Sequence, residues 1–310
     1  MSDYKVVSPS PFVGLWTDDD SAVESLERMI RIGHIDPHLE HPIRSFIAEG
    51  YAILESAVPG EVCDAIAEEL RAAWEHGNER FLTQEPGSQV SKPVMPGLPA
   101  ERMRVVDIHA VSDHARQALF SDTIVEFLAA VFETAPHLFQ SLTFEKGSEQ
   151  GFHQDPAYVV VSEPRQLAAS WIALEDISAG SGELRYLPRS HRIPEFLFSG
   201  EFKHWNPERD GHEQHTEWSQ YLTAQAASLE LQEKRFAPSK GDVLIWAADL
   251  VHGGSPVERP ELSRRSLVGH YCPAGVSPHY FSYAPHRAAI RNFGDSTYSS
   301  FHIDLESYSD

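Results

Sequence analysis

The sequence predicts a mainly β fold with flanking helices, built as a single domain. Segments rich in β-branched and aromatic residues, separated by turn signals, dominate from about residue 138 to residue 275. Helical apolar periodicity precedes them, for example at residues 61–74 and 123–133. A chain of 310 residues can bury a sizeable core, and all-β barrels of this length often remain one domain.

The chain divides into an N-terminal extension and one main domain. Residues 1–38 form an acidic extension, in which an amphipathic stretch predicts a helix that stops at Gly33. Residues 39–310 form the domain. Within it, residues 193–236 are too long for a hairpin loop, so we expect an insertion that contains helix and acts as a lid over the site. The tail at 278–310 is expected to wrap the barrel or to contact a partner.

One His-x-Asp pair, His153 and Asp155, is the candidate start of a metal site. Three such pairs occur, and with 17 histidines in the chain the spacing alone carries little weight. The β-branched and aromatic residues at 151–161 favour a strand, in which residues i and i+2 point to the same face. Two imidazoles and one carboxylate on one face of Fe(II) leave three adjacent positions open. A second histidine is therefore required.

The other histidine motifs predict no metal site. His34 and Asp36 lie at the end of the predicted N-terminal helix, and His302 and Asp304 have no later histidine to complete a triad. The His-Glu-Gln-His run at 212–215 lacks the four-residue spacing of zinc proteases and is surrounded by loop-forming residues. We expect it to lie in a solvated loop of the lid.

The best candidate for the second histidine is His252. It follows a Gly-Asp turn and a short buried strand at 243–246, so this ligand arrives from a different strand. Another strand is predicted at 263–271, and it begins with Arg264 and Arg265. A guanidinium there can hold a carboxylate through two hydrogen bonds. Because alternate residues of a strand face opposite sides, only one of these arginines can be the anchor.

Four segments together resemble one known family. They are the helix and strand pattern at 43–54, the metal segment at 151–158, the strand at 167–176 and the loop at 181–191. With the distal histidine and arginine, they resemble the phytanoyl-CoA dioxygenase family of Fe(II)/2-oxoglutarate-dependent oxygenases, which includes ectoine hydroxylase-like enzymes. The resemblance covers roughly residues 39–275.

The resemblance implies a double-stranded β-helix, a cupin-like jelly roll of two facing sheets. It implies Fe(II) held by His153, Asp155 and His252, with 2-oxoglutarate and O2 as cosubstrates. Arg264 would pair with the C5 carboxylate of 2-oxoglutarate. The expected reaction is hydroxylation of a small-molecule substrate, with release of succinate and carbon dioxide.

The family pattern assigns three further residues. Trp171 matches a tryptophan that lines the 2-oxoglutarate pocket, and Ser255 matches a hydroxyl near the bound cosubstrate. Gln140 lies on a strand that faces the substrate cavity. Each also has an ordinary structural explanation: core packing for the tryptophan, a turn for the serine and a strand hydrogen bond for the glutamine.

Two departures from the family pattern stand out. A loop that commonly reads Pro-Gly-Ser-His carries Arg189 in place of the glycine, which we expect to alter the turn and leave the metal unaffected. The distal histidine is followed by one glycine more than usual, Gly254. This extra residue moves the arginine one position along the chain, which favours Arg264 over Arg265 as the anchor.

Two other functions remain open. One is a jelly-roll protein that binds a small molecule without turnover, and the other is a metalloenzyme independent of 2-oxoglutarate. The intact triad and the arginine argue against the first, and the lack of a His-x-His motif argues against the second. Halogenating relatives replace the metal carboxylate with Gly or Ala, so Asp155 favours hydroxylation or a related oxidation over halogenation. Desaturation and ring closure stay open as alternatives to hydroxylation.

Composition indicates which kinds of partner and which cellular compartment to expect. A formal net charge of −21 argues against nucleic-acid binding, which requires a basic surface. No signal peptide or membrane-spanning apolar run is recognised, and the two cysteines, Cys63 and Cys272, suggest no disulfide framework. We expect a cytoplasmic protein with a small-molecule substrate. The identity of that substrate and the oligomeric state stay open.

Overall fold

A computed structural model describes residues 4–85, 87–88 and 90–307. Within these residues the chain forms fifteen strands and seven α-helices. The strands are β1 (Lys5–Val7), β2 (Tyr51–Leu54), β3 (Asn78–Gln84), β4 (Lys92–Val94), β5 (Arg104–Val106), β6 (Pro136–Phe144), β7 (Ala168–Ala173), β8 (Leu184–Tyr186), β9 (Glu195–Leu197), β10 (Lys234–Phe236), β11 (Val243–Ala247), β12 (His252–Gly254), β13 (Ser266–Pro273), β14 (Arg291–Phe293) and β15 (Ser296–Tyr298). The helices are α1 (Ala22–Arg31), α2 (Glu40–Glu49), α3 (Gly60–His76), α4 (Asp113–Leu119), α5 (Asp122–Phe132), α6 (Pro207–Ser228) and α7 (Tyr280–Tyr283).

Thirteen of the described strands form one large and one small sheet that pack against each other, and β1 and β9 form a separate pair. The large sheet has ten strands in the order β2-β11-β7-β13-β6-β5-β3-β4, with β15 parallel to β6 and β14 beyond it. The small sheet has the order β10-β8-β12. Both sheets contribute to one buried cluster, in which the ring of Trp171 in β7 contacts that of Phe236 in β10. The predicted mainly β fold with flanking helices is confirmed.

Strand alternation gives the large sheet two different faces. In β11, Val243 and Ile245 belong to the cluster that packs with the helices, whereas Leu244 and Trp246 point between the sheets. The strands β7 and β13 follow the same rule. Every residue of these three strands is buried, as expected for strands covered on both faces. The face towards the small sheet carries the candidate site.

The N-terminal extension packs into the core of the main domain. Helix α1 lies where the amphipathic pattern predicts it, and Gly33 follows with a φ of +73°. Leu26 and Met29 of α1 join the same buried cluster as residues of α2 to α5. Strand β1 pairs antiparallel with β9, so the extension also contacts the insertion. Residues 1–3 lie outside the described residues, and the boundary at residue 38 stays a prediction.

The insertion at 193–236 contains β9, α6 and β10. The expected loop at 212–215 is wrong, because these residues lie inside α6, which bends at Gly211. The polar residues of this stretch suggested a loop, but Trp218 and Leu222 anchor the helix in a buried cluster. Helix α6 is the longest described helix, and no helix of the described residues is long and apolar enough to cross a membrane.

The C-terminal tail contacts the large sheet and the loop that carries Asp107. Strand β15 extends the sheet in parallel to β6. The buried carboxylate of Asp107 accepts hydrogen bonds from Ser300 Oγ at 2.7 Å and from the backbone N–H of His302 at 3.1 Å. These bonds attach the tail to the domain. Residues 308–310 lie outside the described residues.

The turn after β8 contains a non-glycine residue with a left-handed backbone. Arg189 has a φ of +70°, and its N–H donates to the carbonyl of Glu49 at 2.8 Å. A left-handed conformation costs roughly 1–2 kcal/mol for a residue with a Cβ atom. The arginine is therefore accommodated at some cost in stability.

We expect Arg189→Gly to raise the free energy of unfolding by up to about 1 kcal/mol, because glycine adopts this conformation without a Cβ clash. Urea denaturation would measure the change. Arg189→Ala keeps the Cβ atom and is the matched control, which should show no such gain. A glycine variant less stable than the alanine variant would contradict the interpretation.

Candidate metal centre

A backbone bridge joins the two candidate histidines. The N–H of His153 donates to the carbonyl of His252 at 2.9 Å, and the reciprocal bond is 3.0 Å long. Nδ1 of His153 lies 2.9 Å from the carbonyl oxygen of Gly151, and Nδ1 of His252 lies 3.0 Å from that of Leu250. Because a carbonyl only accepts, each ring is protonated on Nδ1 and presents a free Nε2. Both rings are thereby oriented for a metal.

The segment that carries Asp155 differs from its prediction. The strand expected at 151–161 is absent: this segment makes isolated bridges at His153 and Val161, and a 3₁₀ helix begins at Asp155. Pro156 explains the difference, because proline lacks the N–H needed by a strand ladder and has a fixed φ. The turn nevertheless brings the carboxylate next to the histidines.

The three candidate ligands converge on one point. One ligand atom each from His153, Asp155 and His252 lies within 4.8 Å of the other two. Asp155 Oδ1 is 3.9 Å from Nε2 of His153 and 3.5 Å from Nε2 of His252. All three side chains are buried, and among the described residues no other group of His, Cys, Asp and Glu meets this distance. The donor set matches the two-histidine, one-carboxylate arrangement that suits Fe(II).

The protonation states also suit a metal. Burial lowers the pKa of His153 to about 3, and the nearby His252 acts in the same direction. Burial acts to raise the pKa of Asp155, but the imidazoles of His252 and His270 outweigh it, so this pKa lies below its ordinary value. At neutral pH the site therefore offers neutral imidazole from His153 and an ionised carboxylate, the forms that bind metal.

Two buried residues beside Asp155 were missed by sequence reasoning. Trp246 of β11 donates its indole N–H to Asp155 Oδ2 at 2.8 Å. His270 of β13 has its Nε2 3.7 Å from the same oxygen. Strand alternation could have predicted that both side chains point between the sheets. Trp246 shares its face of β11 with Leu244, and His270 shares its face of β13 with Val268.

The glycines after His252 let two backbones approach closely. A Cβ atom at Gly253 would lie 2.6 Å from the carbonyl oxygen of Gln150, and one at Gly254 would lie 2.8 Å from the nitrogen of Glu149. Both distances are shorter than the closest contacts that a carbon atom makes. Only glycine therefore fits at these two positions of β12, which face the backbone of residues 149–151. The additional glycine therefore has a packing role next to the metal ligands.

Arg264 is buried near Trp171 and has no carboxylate within ion-pair distance among the described residues. Its Nη2 donates to the carbonyl of Lys146 at 3.2 Å, and its Nε is buried without a hydrogen-bond partner there. The guanidinium carbon is 5.5 Å from the ring centroids of both Phe144 and Trp171. Burial lowers the pKa of Arg264 to about 10. A buried guanidinium with unused donors is costly unless an anion binds to it.

Arg265 points to the opposite side. Its Nε donates to Glu145 Oε2 at 2.9 Å, and its Nη1 donates to Glu175 Oε2 at 3.3 Å. The side chain is 40% exposed. Because two nitrogens of its guanidinium already donate to carboxylates of the protein, this arginine is poorly suited to bind another anion.

The remaining predicted residues lie around the space between the sheets. Trp171 belongs to the inward face of β7. Ser255 follows β12 and is buried, and its Oγ has no hydrogen-bond partner among the described residues. Gln140 is half-buried in β6 and pairs with His270 of β13, so the two side chains share a face.

Aromatic side chains of the insertion pack around Tyr158, which stands next to His153. The ring of Tyr158 is 5.8 Å from that of His153, and its Oη is 2.6 Å from Nε2 of His215 in α6. The rings of Trp205 and Trp218 lie 4.7 and 5.4 Å from the His215 ring. We call Tyr158, Trp205, His215 and Trp218 the aromatic wall.

Comparison with known proteins identifies the family. The family model described as phytanoyl-CoA dioxygenase (PhyH) matches residues 46–266. The chain belongs to the phytanoyl-CoA dioxygenase (PhyH) family. The resemblance predicted from the sequence is confirmed. No curated protein sequence matches this PhyH member significantly.

Solved structures share the fold of this PhyH member at low sequence identity. SnoN, a non-heme alpha ketoglutarate dependent epimerase from nogalamycin biosynthesis, matches with a TM-score of 0.58 and 16% identity, over 84% of this chain and 98% of that chain. SnoK, the non-heme alpha ketoglutarate dependent carbocyclase from the same biosynthesis, matches with a TM-score of 0.55 and 13% identity, over 77% of this chain and 86% of that chain. The apoform of EctD from S. alaskensis matches with a TM-score of 0.55 and 16% identity, over 89% of this chain and 86% of that chain. The predicted jelly roll is confirmed.

We expect Gly253→Ala to lower the affinity for Fe(II) by about tenfold or more, because the added Cβ pushes apart the two segments that carry the histidines. Anaerobic competition with a chromogenic chelator would measure this affinity.

Gly151→Ala is the matched control. A Cβ atom there meets nothing within 4 Å, so this variant should keep the wild-type affinity. Equal affinities for the two alanine variants would contradict the role assigned to the close approach.

Proposed function

We propose that this protein is an Fe(II)- and 2-oxoglutarate-dependent dioxygenase that hydroxylates a small molecule and releases succinate and carbon dioxide. The observation that carries the proposal is the pairing of a two-histidine, one-carboxylate donor set with the buried Arg264, which has no carboxylate partner among the described residues. Membership of the PhyH family supports it, as does the SnoN structure solved with Fe3+ and alpha ketoglutarate.

In this proposal, Fe(II) is held by Nε2 of His153, Nε2 of His252 and a carboxylate oxygen of Asp155. The backbone carbonyls that accept from Nδ1 fix both rings, so little ordering is required when the metal binds. A site with three protein donors would leave coordination positions of the iron available to the cosubstrate and O2. When bound, the iron and 2-oxoglutarate supply the oxygen activation that hydroxylation needs.

Arg264 holds the C5 carboxylate of 2-oxoglutarate. Its Nε and the Oγ of Ser255 are buried polar atoms without partners among the described residues, and a dicarboxylate would supply the acceptors. Trp171 and Phe144 flank the guanidinium and keep water away from the ion pair. The charge of a bound carboxylate would also offset the cost of burying Arg264.

The substrate enters beside the aromatic wall, and Gln140 lines its cavity. A substrate with an apolar or ring-shaped face suits the wall, because aromatic side chains bury large areas and stack on flat groups. The insertion would act as the lid that excludes water during turnover. We also propose a cytoplasmic location, which the unpaired, buried Cys63 and Cys272 support.

We expect Arg264→Gln to weaken 2-oxoglutarate binding by about 10- to 100-fold, because hydrogen bonds to charged groups contribute roughly 1.5–3 kcal/mol each. Anaerobic calorimetry on metal-loaded protein would measure the affinity, and succinate release in air would measure turnover.

Arg265→Gln is the matched control, since it removes the neighbouring charge but leaves the buried guanidinium in place. It should bind 2-oxoglutarate with nearly wild-type affinity. The reverse result would make Arg265 the anchor, and wild-type affinity in both variants would contradict the cosubstrate site.

A further inference from the structure

A third buried imidazole faces the candidate metal centre. His270 has its Nε2 3.7 Å from Asp155 Oδ2, and its Nδ1 is buried without a hydrogen-bond partner among the described residues. It does not belong to the group of ligand atoms that lie within 4.8 Å of one another. His270 therefore stands behind the carboxylate and outside the ligand set.

The fold aims His270 at this point in two ways. Alternation along β13 sends Leu267 and Tyr271 towards the helices and Val268 and His270 towards the interior. The pairing of β13 with β6 also shifts register between His270 and Tyr271, where Phe139 is the extra residue of β6. Such a bulge bends the strand locally and redirects the side chains next to it.

The tautomer of His270 follows from its surroundings. Asp155 Oδ2 already accepts the indole N–H of Trp246, and a carboxylate oxygen can accept a second hydrogen bond. A proton on Nε2 points the positive end of the N–H towards that oxygen, 3.7 Å away, as an electrostatic contact longer than a hydrogen bond, and leaves only a lone pair on Nδ1. A buried acceptor without a partner is tolerated better than a buried N–H without one. The proton on Nε2 thus suits both ring nitrogens, because it faces the carboxylate and leaves no buried N–H without a partner.

We propose that His270 is a positioning residue for Asp155, which it holds together with Trp246 through Oδ2. The other oxygen, Oδ1, is then left to face Nε2 of His153 and of His252. A carboxylate fixed in this way binds a metal through one oxygen, which keeps the remaining coordination positions free. This inference rests on the proposed function, in which Asp155 is a metal ligand.

The test uses Co(II) as a coloured substitute for Fe(II), with affinity and visible spectrum measured on the full chain. We expect His270→Leu to weaken Co(II) binding by about 10- to 100-fold and to shift the visible bands, because the freed carboxylate can bind through both oxygens. His270→Gln keeps an N–H donor and should recover most of the affinity and the wild-type bands. Trp246→Phe should act in the same direction as His270→Leu.

His137→Leu is the control for a lost buried histidine. His137 lies in the adjacent β6, but its two ring nitrogens contact Thr297 and Ser299 of the tail. It should lose stability while keeping the wild-type Co(II) spectrum and affinity.

Three results would overturn the positioning role alone: unchanged binding in His270→Leu, no recovery in His270→Gln, or an equal loss in His137→Leu. A loss in His270→Leu as complete as that in Asp155→Ala would make His270 a ligand and would also overturn it. If wild-type protein bound Co(II) no better than Asp155→Ala, this result would contradict the metal site itself and therefore the proposed function.

Discussion

The two backbone hydrogen bonds between His153 and His252 are the constraint on which the candidate site depends. They join a segment that forms no regular strand to a strand of the small sheet, and they fix the distance between two imidazoles far apart in sequence. The glycines of β12 permit the contact, because any side chain there would meet the facing backbone. Asp155 reaches the histidines because a 3₁₀ turn begins at this residue, two residues after the bridge at His153.

Around this bridge, the large sheet separates two kinds of chemistry by alternation. One face carries aliphatic side chains that pack on the helices, including α1 of the N-terminal extension. The other face carries Trp246 and His270, which lie beside Asp155, and Trp171, which lies beside Arg264. Buried charges on this face are either shared among neighbours, as at Asp155, or left with unused donors, as at Arg264. The unused donors of the buried Arg264 indicate a binding site for an anion.

Much of this could be predicted from the sequence, and the failures have physical causes. Periodicity located α1, α3 and α5. The strand context, the distal histidine and arginine, and the family resemblance indicated His153, Asp155 and His252, since the His-x-Asp spacing alone carries little weight. The strand predicted at 151–161 was wrong. The prediction relied on the strand propensity of the surrounding residues, whereas in the structure Pro156 lies in a 3₁₀ turn that interrupts the strand. The loop at 212–215 was wrong, because apolar anchors further along α6 make the helix. His270 and Trp246 carry no motif, since their role arises only when two strands bring them to one carboxylate.

Anaerobic titration of 2-oxoglutarate into Fe(II)-loaded protein tests the central claim most directly. The account predicts a weak visible metal-to-ligand charge-transfer band that grows to saturation with added 2-oxoglutarate. The band should be absent from Asp155→Ala, which lacks the carboxylate ligand. Wild-type protein that contains iron yet shows no band at saturating 2-oxoglutarate would contradict the account.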